Sequence, residues 1–418
     1  MRIGISIEVE PGLNGGIAPA IHSLISALGR LDDGPETYVL VVRSQKQADW
    51  LAGLGANQQI VLHPDATRKR TWKTGLQDFK TKIRRKFTLP SRWHEAHVSD
   101  GFFESLDLGV MHFPTQSFTY CAIPTVYNPH DLQHLHYPQF FTPDELAWRE
   151  AMYPMGCRLS QAVIVNSQWI KEDIVKQFAV SPDKIQVIPE AAPTAFMKTI
   201  AQDDIDATAA KYNVQSGFAF YPGVTWPHKN HARLFEALAH LRDSQGRTVT
   251  LVCTGARHEP SWPRLEARIQ ELKLEDQVRF LGFVSPTELR CLYSMAGCLV
   301  LPTLFEANSL PIFEAWSEGL PVVSSDVTAL PEQVGDAGLL CDPFEPASIA
   351  RAIEQALFDQ TLREDLIARG RRRLADFDWN RTARAYRAVY RKASGQRLSA
   401  EDARLLQWDW MRNAARSA

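Results

Sequence analysis

Short apolar runs, each about the length of a strand, alternate along this chain with longer amphipathic stretches. In the first half the runs cover residues 2–9, 38–42, 59–62, 109–113, 125–127, 162–165 and 184–188. They are rich in Val, Ile and Leu with little polar alternation, as strands buried on both faces of a sheet require. Helical segments at 17–30, 143–160 and 168–178 separate several of them. Strands alternating with helices predict a parallel sheet covered by helices on both faces. From 191 to 216 the pattern lapses into small, polar and acidic residues, which predicts a connector. A second series follows, with strands at 217–221, 249–253, 278–281, 299–301, 322–324 and 338–340. Helices at 232–241, 265–272, 286–294, 311–317 and 347–358 fit between these strands. The expected fold is α/β, two Rossmann-like domains in series facing across a cleft that holds the ligand.

Composition narrows the partners more than the fold. At 418 residues the chain exceeds what one hydrophobic core usually supports. Its 45% hydrophobic and 22% charged residues are ordinary for a soluble globular protein. A formal net charge of -2 argues against a nucleic-acid partner, whose binding rests on a basic surface. Six cysteines are scattered without a CxxC pair, so they read as small buried hydrophobes of a reducing compartment. No run approaches the ~18 apolar residues of a membrane-spanning helix, and Met1 leads directly into a strand rather than a signal peptide. A cytoplasmic location follows as the expectation.

One segment carries most of the chemistry. Residues 299–324 read as strand, loop, helix and strand, with the loop at the carboxyl end of a strand, where open α/β sheets bind ligands. Ser309 can cap the helix, Pro311 suits its first turn, and Gly319 can end it. Free N–H groups around Asn308, Ser309 and Leu310 suit a diphosphate at the helix N-terminus. Glu306 would project from the loop and Glu314 from the helix, giving two separated carboxylates. Alone, Glu314 reads equally well as an acid favoured by the helix dipole.

The string Phe305-Glu306-Ala307-Asn308-Ser309-Leu310-Pro311-Ile312-Phe313-Glu314-Ala315, followed by Glu318-Gly319-Leu320-Pro321, changes that balance. It resembles the Glu-x7-Glu signature of glycosyltransferase family 4, retaining enzymes of the GT-B fold. The resemblance implies Glu306 on the donor sugar's hydroxyls and Glu314 on the ribose of a nucleotide diphosphate sugar. The segment 221–230 looks like the family's loop ending in Lys-Asn, which implies that Lys229 and the 308–310 amides hold the donor diphosphate. Many members carry an arginine just before that lysine. Val224 and Thr225 stand there in this chain, so that either His228 or an arginine from elsewhere supplies the second positive group, or the diphosphate is held less tightly. Asn128-Pro129-His130-Asp131-Leu132 resembles the segment whose histidine approaches the sugar near the reacting carbon, here His130. Gly15 and Gly16 match the glycine loop on the acceptor side, and Phe283 with Val284 the turn that contacts the nucleobase. No metal and no cofactor are implied. His130, His134 and His136 with Asp131 also permit a metal-cluster reading, which the family chemistry does not need.

These comparisons imply an N-terminal acceptor domain over 1–190, a linker over 191–216, a donor domain over 217–380, and C-terminal helices over 381–418 crossing back to the first domain. The expected activity is retaining transfer of a hexose to a glycan or lipid-linked acceptor. A GDP-linked mannose donor is preferred, with UDP-linked sugars next. Two alternatives are a nucleotide-sugar epimerase on the same scaffold and a non-catalytic partner of a glycan-assembly complex. Residues 67–87 add an apolar stripe flanked by Lys and Arg, a pattern that fits either an anionic membrane surface or simple packing on the first domain.

Overall fold

The computed structural model describes residues 1–9, 16–51, 53–64, 98–193, 196 and 199–410. The basic stretch 67–87 and Gly15 lie outside the described residues. The chain forms two compact units. The first contains Met1–Asn166, Ile170–Ile188 and Asn380–Trp408; the second is built from Pro189–Trp379 with Ser167–Trp169 added.

The first unit carries seven strands: β1 Arg2–Ile7, β2 Thr37–Val42, β3 Gln58–Leu62, β4 Val110–Phe113, β5 Thr125–Tyr127, β6 Ala162–Val165 and β7 Ile185–Val187. They pair in parallel in the order β3-β2-β1-β4-β5-β6-β7. In β1, Ile5 registers against Leu40 on one side and His112 on the other. The central strands are buried along nearly their whole length, which explains their largely apolar sequences. His112 is the polar exception in β4. Its Nε2 pairs with Asn128 Oδ1 at 2.8 Å and its Nδ1 with Tyr390 Oη at 2.9 Å, while Asn128 Nδ2 donates to Tyr386 Oη at 2.9 Å. Burial pushes the imidazole down to about 4, so it is neutral at pH 7.

Tyr386 and Tyr390 belong to the helix Trp379–Ala393, so this network ties the C-terminal segment to the first sheet. Ion pairs continue the attachment: Arg387 with Asp33 at 2.5 Å, and Arg391 with both Glu36 at 2.9 Å and Asp402 at 3.0 Å.

The second unit holds β8 Ala219–Pro222, β9 Leu251–Thr254, β10 Val278–Phe280, β11 Cys298–Leu301, β12 Val322–Ser325 and β13 Leu339–Cys341. Their order, β10-β9-β8-β11-β12-β13, is again wholly parallel. All six cysteines of the chain are buried and free. Residues 191–216 depart from the expected connector, because Gln202–Tyr212 is a helix of the second unit. Thr208 is its one buried residue, and Lys211 reaches Glu288 at 2.5 Å, so the helix forms with almost no apolar stripe to announce it. None of the described helices is long and apolar enough to cross a membrane.

Candidate active site

Each sheet reverses its winding once. In the second unit the chain winds from β8 outward to β9 and β10, then returns so that β11 lies on the other side of β8. The carboxyl ends of β8 and β11 therefore flank a topological switch point, the usual ligand position of an open α/β sheet. The loop after β8 carries Lys229 and the loop after β11 carries Glu306.

These two side chains form a direct ion pair across 77 positions of sequence. Lys229 is 16% and Glu306 14% exposed, so each charge is largely withdrawn from water yet open to a ligand. The backbones beneath them are tied together as well. His228 O accepts from Thr303 Oγ1 at 3.0 Å and from the Leu304 N–H at 2.7 Å. Tyr221 Oη donates to Lys229 O at 2.7 Å. Asn230 takes a left-handed backbone, φ 60°, and its buried amide donates to Pro302 O at 2.8 Å and Pro343 O at 2.7 Å. Asn230 thus holds the lysine loop against the glutamate loop, a task for which an αL-tolerant amide is well suited.

Past Glu306 the chain enters the helix Leu310–Ser317, with Pro311 in its first turn as the sequence predicts. Ser309 occupies the cap position, but its side chain caps nothing. The carboxamide of Gln333 holds the Ser309 backbone, accepting the Ser309 N–H at 2.9 Å and donating to Ser309 O at 2.9 Å. The Ser309 amide is consequently committed, which removes it from the expected diphosphate cradle. The N–H groups of Asn308 and Leu310 have no partner among the described residues, as orphan amides of a helix start. Asn308 Nδ2 donates to Glu190 at 2.8 Å.

Glu314 lies one turn into the same helix and is 9% exposed. Tyr293 Oη donates to its Oε2 at 2.6 Å. Burial nonetheless raises the carboxyl to about 7, the hydrogen bond offsetting only part of the desolvation. Tyr293 belongs to the helix Pro286–Met295, whose Arg290 also pairs with Glu318 at 2.9 Å. Two successive turns of one helix therefore fix two successive turns of the other.

The missing arginine beside Lys229 has a partial answer. His228 does not supply the charge: burial, then the neighbouring Lys229, hold its pKa well below 6.5. Thr225, which stands in the arginine's region, instead straps two loops together. Its N–H donates to Ala256 O at 3.2 Å and its Oγ1 accepts the His258 N–H at 2.8 Å. The next residue after Ala256 is Arg257, exposed, with its guanidinium 4.1 Å from the Trp262 ring centroid. After β10, Gly282 turns the chain at φ 71° and leaves Phe283 75% exposed while Val284 is buried. An aromatic ring this bare beside a strand's carboxyl end can stack on a planar base.

In the first unit the switch point falls between β1 and β4. Gly16 stands at the start of the helix Ile17–Gly29, the next described helix after β1, with an ordinary helical φ of -68°. His130 follows β5 in a left-handed conformation, φ 65°, and its Nε2 lies 2.8 Å from Pro114 O, just beyond β4. A carbonyl can only accept, so Nε2 carries the proton and Nδ1 presents a lone pair. Burial lowers the ring's pKa, which keeps it in that neutral form. A histidine with positive φ in a loop at a sheet's carboxyl end is strain of the kind found at functional sites. The neighbouring histidines go elsewhere. His136 pairs with Asp173 at 2.8 Å, and His134 is buried against Tyr153. Among the described residues no group of three His, Cys, Asp or Glu is placed to hold a metal ion.

Among the residues that escaped the sequence reading, Gln333 and Thr328 grip the backbone of the 306–309 loop through side-chain groups. Neither lies in a recognisable motif.

Comparison with known proteins bears on this geometry. Residues 204–373 match the family model described as Glycosyl transferases group 1, and residues 82–196 that of Glycosyltransferase Family 4. The chain is 29% identical over 267 residues to O-antigen chain mannosyltransferase B of Escherichia coli, covering 62% of this chain and 69% of that protein. It is 32% identical over 226 residues to MMP alpha-(1->4)-mannosyltransferase of Mycolicibacterium hassiacum, covering 53% of this chain and about half, 51%, of that one. Among solved structures, HepE of Anabaena in complex with UDP and glucose superposes with a TM-score of 0.68 at 18% identity, over 94% of this chain and 100% of that one. Sucrose-phosphate synthase of Thermosynechococcus elongatus gives 0.66 at 19% identity, over 94% and 98%. At such identities these two likenesses speak to the fold alone.

Proposed function

This chain belongs to the family 4 glycosyltransferases of GT-B fold, and from that premise we propose that it moves a hexose from a nucleotide diphosphate sugar to a glycan or lipid-linked acceptor with retention of configuration. The observation that carries the proposal is the Lys229–Glu306 ion pair at the β8/β11 switch point, beside the unpaired amides of Asn308 and Leu310.

That arrangement suits a donor whose leaving group gains negative charge while its sugar gains positive charge. The Lys229 ammonium and the helix-start amides receive the diphosphate. The Glu306 carboxylate accepts hydrogen bonds from sugar hydroxyls, and Glu314 accepts them from the ribose. Phe283 stacks on the base, the backbone at Val284 pairs with it, and Arg257 supplies the second cation for the phosphates. His130 accepts a hydrogen bond from a sugar hydroxyl at Nδ1. The C1–oxygen bond to phosphate then breaks, its electron pair leaving on the phosphate oxygen. The acceptor oxygen bonds to C1 on the same face, and its proton passes to the departing phosphate.

A mannose donor is supported by the relatives' names, and a lipid-linked acceptor by the basic amphipathic stretch 67–87; GDP is the nucleotide we propose for it. Thermal shift tests the binding half of the reading, because a ligand held only by the folded state raises its melting point. GDP, UDP and their sugars should be tried beside a nicotinamide dinucleotide, with release of nucleoside diphosphate followed in parallel. A shift of several degrees with one nucleoside diphosphate, and its release when an acceptor extract is added, is expected. No shift with any nucleotide would contradict the proposal, and conversion of donor to an epimer without acceptor would replace it.

A further inference from the structure

We infer that Thr328 is a positioning residue for the Glu306 carboxylate, an inference that rests on the transferase reading above. Thr328 lies in the turn after β12 with φ 53°, inside the left-handed region. Glycine takes that conformation freely, and Asn or Asp at modest cost; a β-branched residue there is an outlier. The turn itself gives no reason for a threonine, since glycine would make it without strain.

The hydroxyl gives the reason. Thr328 Oγ1 accepts the Glu306 N–H at 3.1 Å and donates to Glu306 O at 2.7 Å. One proton and two lone pairs allow both bonds at once. A single side chain thus holds both polar groups of one loop residue, as a neighbouring strand would hold them. With its main chain fixed, Glu306 can move its carboxylate only by side-chain rotation, and the ion pair with Lys229 restrains that end.

Gln333 repeats the device at Ser309, three residues along the loop. Arg373 in turn grips the clamping segment, donating to Gln333 O at 3.3 Å and to Glu332 O at 2.7 Å. Residues 328–333 therefore act as a template for the loop that carries Glu306. A displacement of the order of 1 Å at a reacting group can cost about 10²-fold in rate, so such a template matters to turnover more than to binding.

The test compares Thr328→Val, Thr328→Ser and Thr328→Gly with the wild-type protein. Turnover, donor KM, nucleoside diphosphate affinity and melting temperature are measured for each. Valine keeps the shape and loses the hydroxyl, so kcat should fall about tenfold or more while nucleoside diphosphate affinity stays within about twofold, because Lys229 and the helix-start amides are untouched. Serine keeps the hydroxyl and should restore turnover to within about threefold. Glycine adopts the left-handed turn without strain, so it should fold even if valine does not, and its turnover should still fall with valine's. An active wild type with a valine or glycine variant of near-normal kcat, or a serine variant as impaired as valine, overturns the inference alone. A wild type that binds and turns over no nucleotide sugar overturns the transferase reading and this inference with it.

Discussion

Replacing Lys229 by alanine should lower turnover by about 10²-fold or more, and replacing Glu306 by alanine should do the same, yet the two variants should part company in binding. Lys229 is the compact cation available to a departing diphosphate. Without it, the Glu306 carboxylate also loses its counter-ion at a site only 14% exposed and faces the donor's phosphates with like charge. Nucleoside diphosphate affinity should therefore drop along with kcat. Glu306→Ala leaves the ammonium unpaired and free for phosphate, so nucleoside diphosphate should bind as well as before or better while sugar transfer fails. Because the partners touch, the double variant should lose less than the product of the two single losses. Calorimetry with nucleoside diphosphate beside steady-state kinetics reads both effects. Near-normal turnover in both single variants would remove these residues from the site.

Glu314→Gln should make the protein more stable and a poorer donor binder at the same time. The Glu314 carboxyl is raised from 4.5 to about 7 in the folded protein, chiefly by burial. The folded state then holds this proton more tightly than the unfolded chain does. Stability linked to it is fully present below pH 4.5 and is lost as pH rises through 7. Glutamine keeps the shape, has no charge to bury, and still accepts from Tyr293. At pH 8 the variant should exceed wild type by about 2–3 kcal/mol, with the difference closing below pH 5. A carboxylate binds ribose hydroxyls more strongly than an amide, by a margin worth about tenfold in affinity. Wild-type nucleotide binding should accordingly weaken as pH falls from 8 through 7, and the variant's should not. Urea melts at pH 5 and 8 with nucleotide titrations at the same values check both halves. Equal stability of the two proteins across that range would show that the carboxylate is not desolvated.

The strands were legible because burial on both faces leaves Val, Ile and Leu runs that no helix interrupts. The candidate site was legible where a motif carries it, as in the strings around Glu306 and Lys229. What the sequence hid was contact. Nothing in a separation of 77 positions announces that Lys229 and Glu306 touch; the β8/β11 adjacency produces that. The helix Gln202–Tyr212 was missed because it buries only Thr208, leaving no apolar period to detect. Ser309 looked like a cap by residue type and occupies that position, but its side chain makes no capping bond, and its backbone is held by Gln333. Thr328 was invisible for a sharper reason. Left-handed turns are sought at glycine or asparagine, and Asp326-Val327-Thr328 contains neither. The histidines near 130 suggested a cluster by spacing, yet a turn at φ 65° and separate partners send them apart.

The central claim, retaining transfer from a nucleotide diphosphate sugar, is tested most directly at the new linkage itself. The glycan product formed from an α-linked donor should be isolated and its one-bond C1–H1 coupling measured by NMR. An α linkage, appearing in step with released nucleoside diphosphate, is the predicted result. A β linkage, or no transfer from any GDP- or UDP-linked sugar, would contradict it.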